Sequence, residues 1–191
     1  MKQVVGIVLL AAVAGCSSSG SAGGGSGGAG GTSATSSGSC TSAAASKGCF
    51  GSCDACTVLT QAQVTAAVGV SVDAGDNAGD DHSCDWAHND SSGIPDTQVS
   101  VDVNINTETF EKICHPTGAL ADAGISVTAA PGVGDDACFV QIQGLGSPDL
   151  TFLEGCWAYT ISILATTSPP PADATIEADE KTLALDALPN L

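Results

Sequence analysis

The chain has no arginine and only four lysines, Lys2, Lys47, Lys112 and Lys181, against 21 aspartates and glutamates, a formal net charge of −17. Proteins hold nucleic acid chiefly by setting cations against phosphate oxygens, so this shortage excludes a nucleic-acid partner. It also excludes electrostatic attachment to anionic lipid. Aspartate outnumbers glutamate and the acids are scattered, which describes a solvated surface and not a charged tail. No internal repeat is present. The apolar run at the front, Val4 to Ala14, is about 11 residues long, well short of the roughly 20 that a membrane-spanning helix needs.

Met1 and Lys2, that apolar run and the small residues closing it make the three-part build of a secretory signal. Val13-Ala14-Gly15-Cys16 resembles the lipobox of bacterial lipoproteins, in which a diacylglyceryl group is attached to the cysteine sulfur and the signal is cut just before it. Small residues suit that cut because the chain must lie extended in a narrow protease groove. The resemblance implies that residues 1–15 are a signal peptide and that Cys16 is the lipidation site. Acyl chains there, palmitate among them, contribute about 0.8 kcal/mol per buried methylene, so several chains anchor the protein lastingly. Removing Lys2 with the signal leaves 3 − 21 = −18. The expected location is the bacterial cell envelope, outside the cytoplasm, with membrane contact through the acyl anchor only. Ser17 resembles the outer-membrane sorting pattern of enteric bacteria, but sorting rules differ among lineages and the membrane stays open.

Ser17 to Ser39 contains only Ser, Gly, Ala and Thr. Such a segment has no apolar area to bury and is expected to be a flexible linker with a reach of about 25 Å. Gly24-Gly25-Ser26-Gly27-Gly28 satisfies the nucleophile-elbow pattern, but low-complexity sequence matches it by chance and no strand precedes it. The remainder, residues 40–191, is the right size for one domain.

Of the nine cysteines, eight remain after Cys16: Cys40, Cys49, Cys53, Cys56, Cys84, Cys114, Cys138 and Cys156. An even number in an exported chain points to disulfides. Cys49, Cys53 and Cys56 also match the cluster-ligating spacing of radical enzymes that use S-adenosylmethionine. An unfolded, exported chain in an oxidising compartment would not carry that cluster. Zinc at the same cysteines is the stronger competitor, and redox exchange through Cys53 and Cys56 lacks the thioredoxin-like context. Neighbouring strands suggest Cys138 with Cys156. The pairing of Cys40, Cys49, Cys53 and Cys114 is left open.

The other motifs favour unreactive readings. Gly132-Val133-Gly134-Asp135-Asp136-Ala137 fits a dinucleotide fingerprint only if a helix comes next, and the residues after Ala137 are strand-like, so a tight turn is expected. Asp76, Asp80, Asp81 and Asp85 offer oxygen ligands for calcium, but at a spacing that fits no known loop. His82 and His88 flank Cys84 and offer zinc ligands, yet a disulfide-bonded sulfur does not ligate as a thiolate. No sequence signal sets a histidine beside a nucleophile.

Local patterns predict the elements. Thr60-Gln61-Ala62-Gln63 is a capping box, with Leu59 and Val64 as a staple and Gly69 as a stop, giving a helix over Gln61–Val68. Cys84 and Trp86 share one side of a strand, with Asp85 and Ala87 on the other. Val99, Val101, Val103 and Ile105 alternate with Ser100, Asp102 and Asn104 in the next strand. Thr107 to Cys114 is helical with a Phe110, Ile113 and Cys114 stripe, ended by His115-Pro116. Cys138, Val140 and Ile142 alternate in a strand. Leu150–Leu153 and Cys156–Leu164 form a hairpin across Glu154-Gly155, with Trp157, Tyr159, Ile161 and Ile163 on its apolar face. Pro169 to Pro171 lead into a helix from about Ala172 to Leu188, with Asp173 and Glu177 near its positive end. The order helix, strand, strand, helix, three strands, helix implies an α+β domain, an antiparallel sheet packed with helices and stabilised by disulfides.

Cys56 to Gly69, the Cys84-Asp85-Trp86 triplet and Pro131 to Ala137, followed by an apolar strand and a glycine, resemble a family of small bacterial lipoproteins of unknown function, best known from actinobacteria. Their pattern is Cys-x-Leu-Leu-Thr, a short helix ending in Gly, Cys-x-Trp, Gly-x-Gly-Asp-x-Ala, then a hairpin. The resemblance spans roughly residues 56–163 and implies a Mog1/PsbP-like fold, an α-β-α sandwich, and a Cys56–Cys84 disulfide. It brings no catalytic residue, and this chain departs from it by six further cysteines. The expected function is non-enzymatic, without metal or cofactor: an exported, lipid-anchored domain binding a protein partner or small apolar ligand. The alternative is a calcium- or zinc-binding or enzymatic domain that uses the aspartate-rich loop.

Overall fold

The computed structural model describes residues 54–77, 82–104, 107–117, 124–144 and 146–191. After a 3-10 turn at Ala55–Thr57 come α1 (Gln61–Val68), β1 (Ser83–Asn89), β2 (Pro95–Asn104), α2 (Thr107–Cys114), β3 (Ile125–Ala129), β4 (Asp136–Ile142), β5 (Asp149–Glu154), β6 (Trp157–Ala165) and α3 (Asp173–Ala187). All six strands form one antiparallel sheet in the order β1-β2-β6-β5-β4-β3. The protein is therefore α+β.

Register decides what the period-2 alternation buries. Trp86 lies opposite Val99, Val99 opposite Ile163, and Cys84 opposite Val101, which faces Ile161. Leu150 extends that second row and Phe139 is its last buried member, the Thr128 opposite it being exposed. Directly opposed residues share a face, so these side chains meet on one side of the sheet in the main core with Ile176, Leu183, Ala184 and Ala187 of α3. The Phe152 and Tyr159 rings, opposite each other, stack at 5.2 Å. A smaller cluster joins Phe110 and Cys114 of α2 to Cys138 and Ala158. Cys138 alternates with Phe139 along β4 and so belongs to the other face.

The helix signals act locally, as expected. Thr60 Oγ1 accepts from Gln63 N–H and Gln63 Oε1 accepts from Thr60 N–H, closing the capping box, while Gly69 ends α1 at φ 72°. Leu59 and Val64 are both buried. Asn190 Nδ2 donates to the Val58 carbonyl at 2.9 Å, tying the C-terminal turn to the entrance of α1.

Three expectations need correction. Four strands, not three, come after α2: β3 carries the weak pattern Ile125-Ser126-Val127-Thr128-Ala129 at the edge of the sheet, where neither face is deeply buried. The β5–β6 turn centres on Gly155-Cys156, because Glu154 and Trp157 still pair. Cys138, Val140 and Ile142 do alternate along one face of β4, as expected. Ala137 and Phe139 are buried on its opposite face, and Ile142 is exposed.

The third correction is covalent: Cys138 is bonded to Cys114, not to Cys156. Cys138 pairs with Thr151 in mid-strand, whereas Cys156 sits in the turn beyond Glu154, so adjacency of strands does not bring the two sulfurs together. The last residue of α2 does lie over Cys138. Cys156 is disulfide-bonded to a partner outside the described residues. Cys56–Cys84 is formed, with a Cα–Cα separation of 5.0 Å. Cys16, Cys40, Cys49, Cys53, Asp80, Asp81 and Ile105 lie outside the described residues.

Candidate functional site: the polar half of a sheet face

Those residues of the sequence motifs that the structure describes make hydrogen bonds within the fold. Asp76 belongs to a short segment that covers the outer edge of β1: its N–H donates to the Asp85 carbonyl and its own carbonyl accepts from Asp85 N–H, while Asp73 N–H donates to the Ala87 carbonyl. Between them Gly75 lies so close to Cys84 Sγ and the Trp86 indole that a Cβ would meet them at 2.7 and 2.8 Å. His88 Nδ1 donates to the Ser71 carbonyl at 2.7 Å, and His82 gives its carbonyl to Val103 N–H. Among the described residues no group of three or more His, Cys, Asp or Glu is placed to hold a metal ion.

The segment Pro131 to Ala137 joins β3 to β4 and clamps the next hairpin. Gly134, at φ 53°, lets the backbone approach the Leu153 carbonyl closely. Asp135 N–H then donates to that carbonyl at 2.8 Å, and its carboxylate accepts from Gly155 N–H at 2.8 Å in the β5–β6 turn. The segment runs into a strand, so no helix N-terminus stands ready for a pyrophosphate.

One assembly of polar side chains is not explained by folding alone. Register places Asp85, Ser100, Ser162 and Asp149 in one row across β1, β2, β6 and β5. Ser100 Oγ donates a short hydrogen bond to Asp85 Oδ1. Burial raises the Asp149 carboxyl above the usual carboxylate range, its hydrogen bond from Ser162 opposes the rise, and the charge of Asp102 adds to it. The row on one side is Ser83, Asp102, Thr160 and Thr151, with the two threonine hydroxyls 3.3 Å apart. The row on the other side holds Ala87, Gln98 and Leu164, and farther along the same face Ile142 and Ile125. Leu164 is 52% and Ile142 44% exposed. This face is thus polar and acidic in its middle, with aliphatic side chains along one border.

Two further features stand apart from the row that runs from Asp85 to Asp149. Glu180 of α3 is fully buried in the main-core side and its Oε1 accepts from Ile163 N–H at 3.1 Å. Ile163 lies just past Ser162, the last β6 residue with a β5 partner, so its N–H needs an acceptor from elsewhere. Burial, followed by the charges of Asp149, Glu177 and Asp179, pushes the Glu180 carboxyl up to about 9 against the opposing bond from Ile163. Second, a groove of about 430 Å³ opens beside β3, lined by Ile125, Ser126, Gln141, Gln143, Gly124 and Gly144, none of them charged.

Sequence reasoning identified Ser100 and Asp102 as the wet side of a strand and Asp85 as the outward residue beside Trp86. It did not join them to Ser162 and Asp149, because strands far apart in sequence meet only through register. Glu180 was also missed, although its spacing from Ile176, Leu183 and Ala184 places it on the buried stripe of α3. No family model matches the chain, and no curated protein or solved structure matches it.

Proposed function

We propose that this is an exported protein of the bacterial cell envelope, anchored through acyl chains on Cys16. Residues 17–39 serve as its flexible tether, and the single domain of residues 40–191 presents a binding surface for a protein partner or a small apolar ligand. It performs no chemistry of its own. The observation that carries the binding reading is the two-sided character of the sheet face. Isolated exposed leucines are ordinary on protein surfaces. Here Leu164 and Ile142 border a row of half-buried Asp and Ser side chains, so one surface offers apolar area together with polar groups that orient what binds.

The lipobox and the preceding apolar run support the anchor. The two apolar clusters, one with α3 and one with α2, support an α-β-α sandwich similar to the Mog1/PsbP-like fold and to the small lipoproteins that residues 56–163 resemble.

Two measurements test this. Cells grown with radiolabelled palmitate are expected to label the protein, and Cys16→Ser is expected to abolish both label and membrane fractionation. A photo-cross-linking residue at position 164 is expected to give a discrete adduct in the envelope that is missing when the probe sits at 185, another exposed leucine. Equal labelling from both positions would sink the binding reading.

A further inference from the structure

Deepening that binding reading, we infer that the sheet face docks a cationic partner segment in extended conformation, its Lys or Arg side chains alternating with aliphatic ones. Charge complementarity selects the sign. Beside the part of the face that α2 covers at Cys138 and Ala158, Asp85 and Asp149 stand at the two ends of the stretch that runs through Ser100 and Ser162, and no side chain in that stretch is a cation. Asp149 is partly desolvated and has a serine hydroxyl and a second carboxylate as its polar neighbours on the face. A cation brought alongside supplies the counter-charge that neither neighbour gives.

Geometry selects the alternation. Residues two apart on a strand are about 7 Å from one another, and adjacent strands are about 4.8 Å apart. The Asp85-Ser100-Ser162-Asp149 row and the row holding Leu164 and Ile142 are therefore parallel lines about 7 Å apart. An extended segment laid across the strands between them sends successive side chains to opposite lines. Asp149 and Asp85 are three strand spacings apart, about 14 Å, which matches cations four residues apart in an extended chain. The aliphatic side chain that falls over β6 meets Leu164, and the next one past Asp149, toward β4, meets Ile142.

The test uses the full chain and two synthetic peptides, alternating Lys-Leu and alternating Lys-Ser, with binding read by calorimetry at low and physiological salt. The Lys-Leu peptide is expected to bind at least tenfold more tightly than Lys-Ser, and to lose at least tenfold on Leu164→Asn and again on Asp149→Asn. Asp85→Asn serves as the second carboxylate variant should Asp149→Asn melt early. Glu177→Gln, on α3, is expected to change nothing. Equal binding of the two peptides would mean unspecific attraction to an acidic protein and would overturn the inference, as would indifference to Leu164→Asn. Absence of peptide binding together with binding of decanoate that Leu164→Asn weakens would overturn the cationic class while leaving the proposed function standing. Absence of both would remove the two together.

Discussion

Glu180 offers the most quantitative perturbation. It is fully buried, its ordinary value is 4.5, and the fold raises it to about 9. Between those values the folded protein keeps a proton that the unfolded chain has lost, so stability falls as pH rises, by about 1.4 kcal/mol per pH unit. The stabilisation is complete below the ordinary value and is lost as pH climbs through about 9. At pH 7, holding the proton costs folding about 3 kcal/mol. Glu180→Gln cannot ionise and keeps an oxygen for Ile163 N–H. It also adds amide hydrogens where Oε2 has no hydrogen-bond partner, at a cost of about 1–2 kcal/mol. The variant is therefore expected to be about 1 kcal/mol less stable than the parent at pH 5 and about 3 kcal/mol more stable at pH 8. Asp149 and Asp179 are also raised by burial, but they titrate in both proteins and cancel in the difference. Urea unfolding of both proteins at pH 5, 6, 7 and 8 measures this. Parallel stability curves, with no crossing near pH 6, would refute the proton assignment.

Two other perturbations bear on how the face is held. The Cys114–Cys138 bond closes a loop with a sequence separation of 24, which corresponds to about 3.5 kcal/mol in the chain-entropy treatment. Replacing both cysteines by alanine is expected to lower the urea midpoint accordingly, and an unchanged midpoint would show that α2 is held by Phe110 packing alone. Gly134→Ala places a Cβ against the Leu153 carbonyl at a positive φ and is expected to cost about 1–3 kcal/mol. Amide exchange at Asp135 and Gly155, whose hydrogen bonds depend on that approach, should accelerate more than exchange in β2. Uniform acceleration would instead indicate global loosening.

How much of this was legible depended on the range of the interactions. The bounds of α1 and α2 were readable to the residue, since capping hydrogen bonds, a staple and a Pro-ended turn act within a few positions. The tight turn over Gly132–Asp135, ahead of β4, was readable for the same reason. Strand β3 was not, because an edge strand with shallow burial carries little alternation. The Cys138 partner was misjudged because Cys114 reaches it from a helix above the sheet, a contact that no strand-neighbour rule describes.

The amino-acid sequence by itself determined the helices and every strand but β3, the acidic character and the signals that point to export, all properties of neighbouring residues or of simple sums. Only the tertiary structure decided that Asp85, Ser100, Ser162 and Asp149 share one row, that Leu164 and Ile142 border it, and that Glu180 is enclosed. Those facts come from strand order and register. A slip of one residue in β6 would leave every local pattern intact, yet turn Ser162 inward and disperse the face.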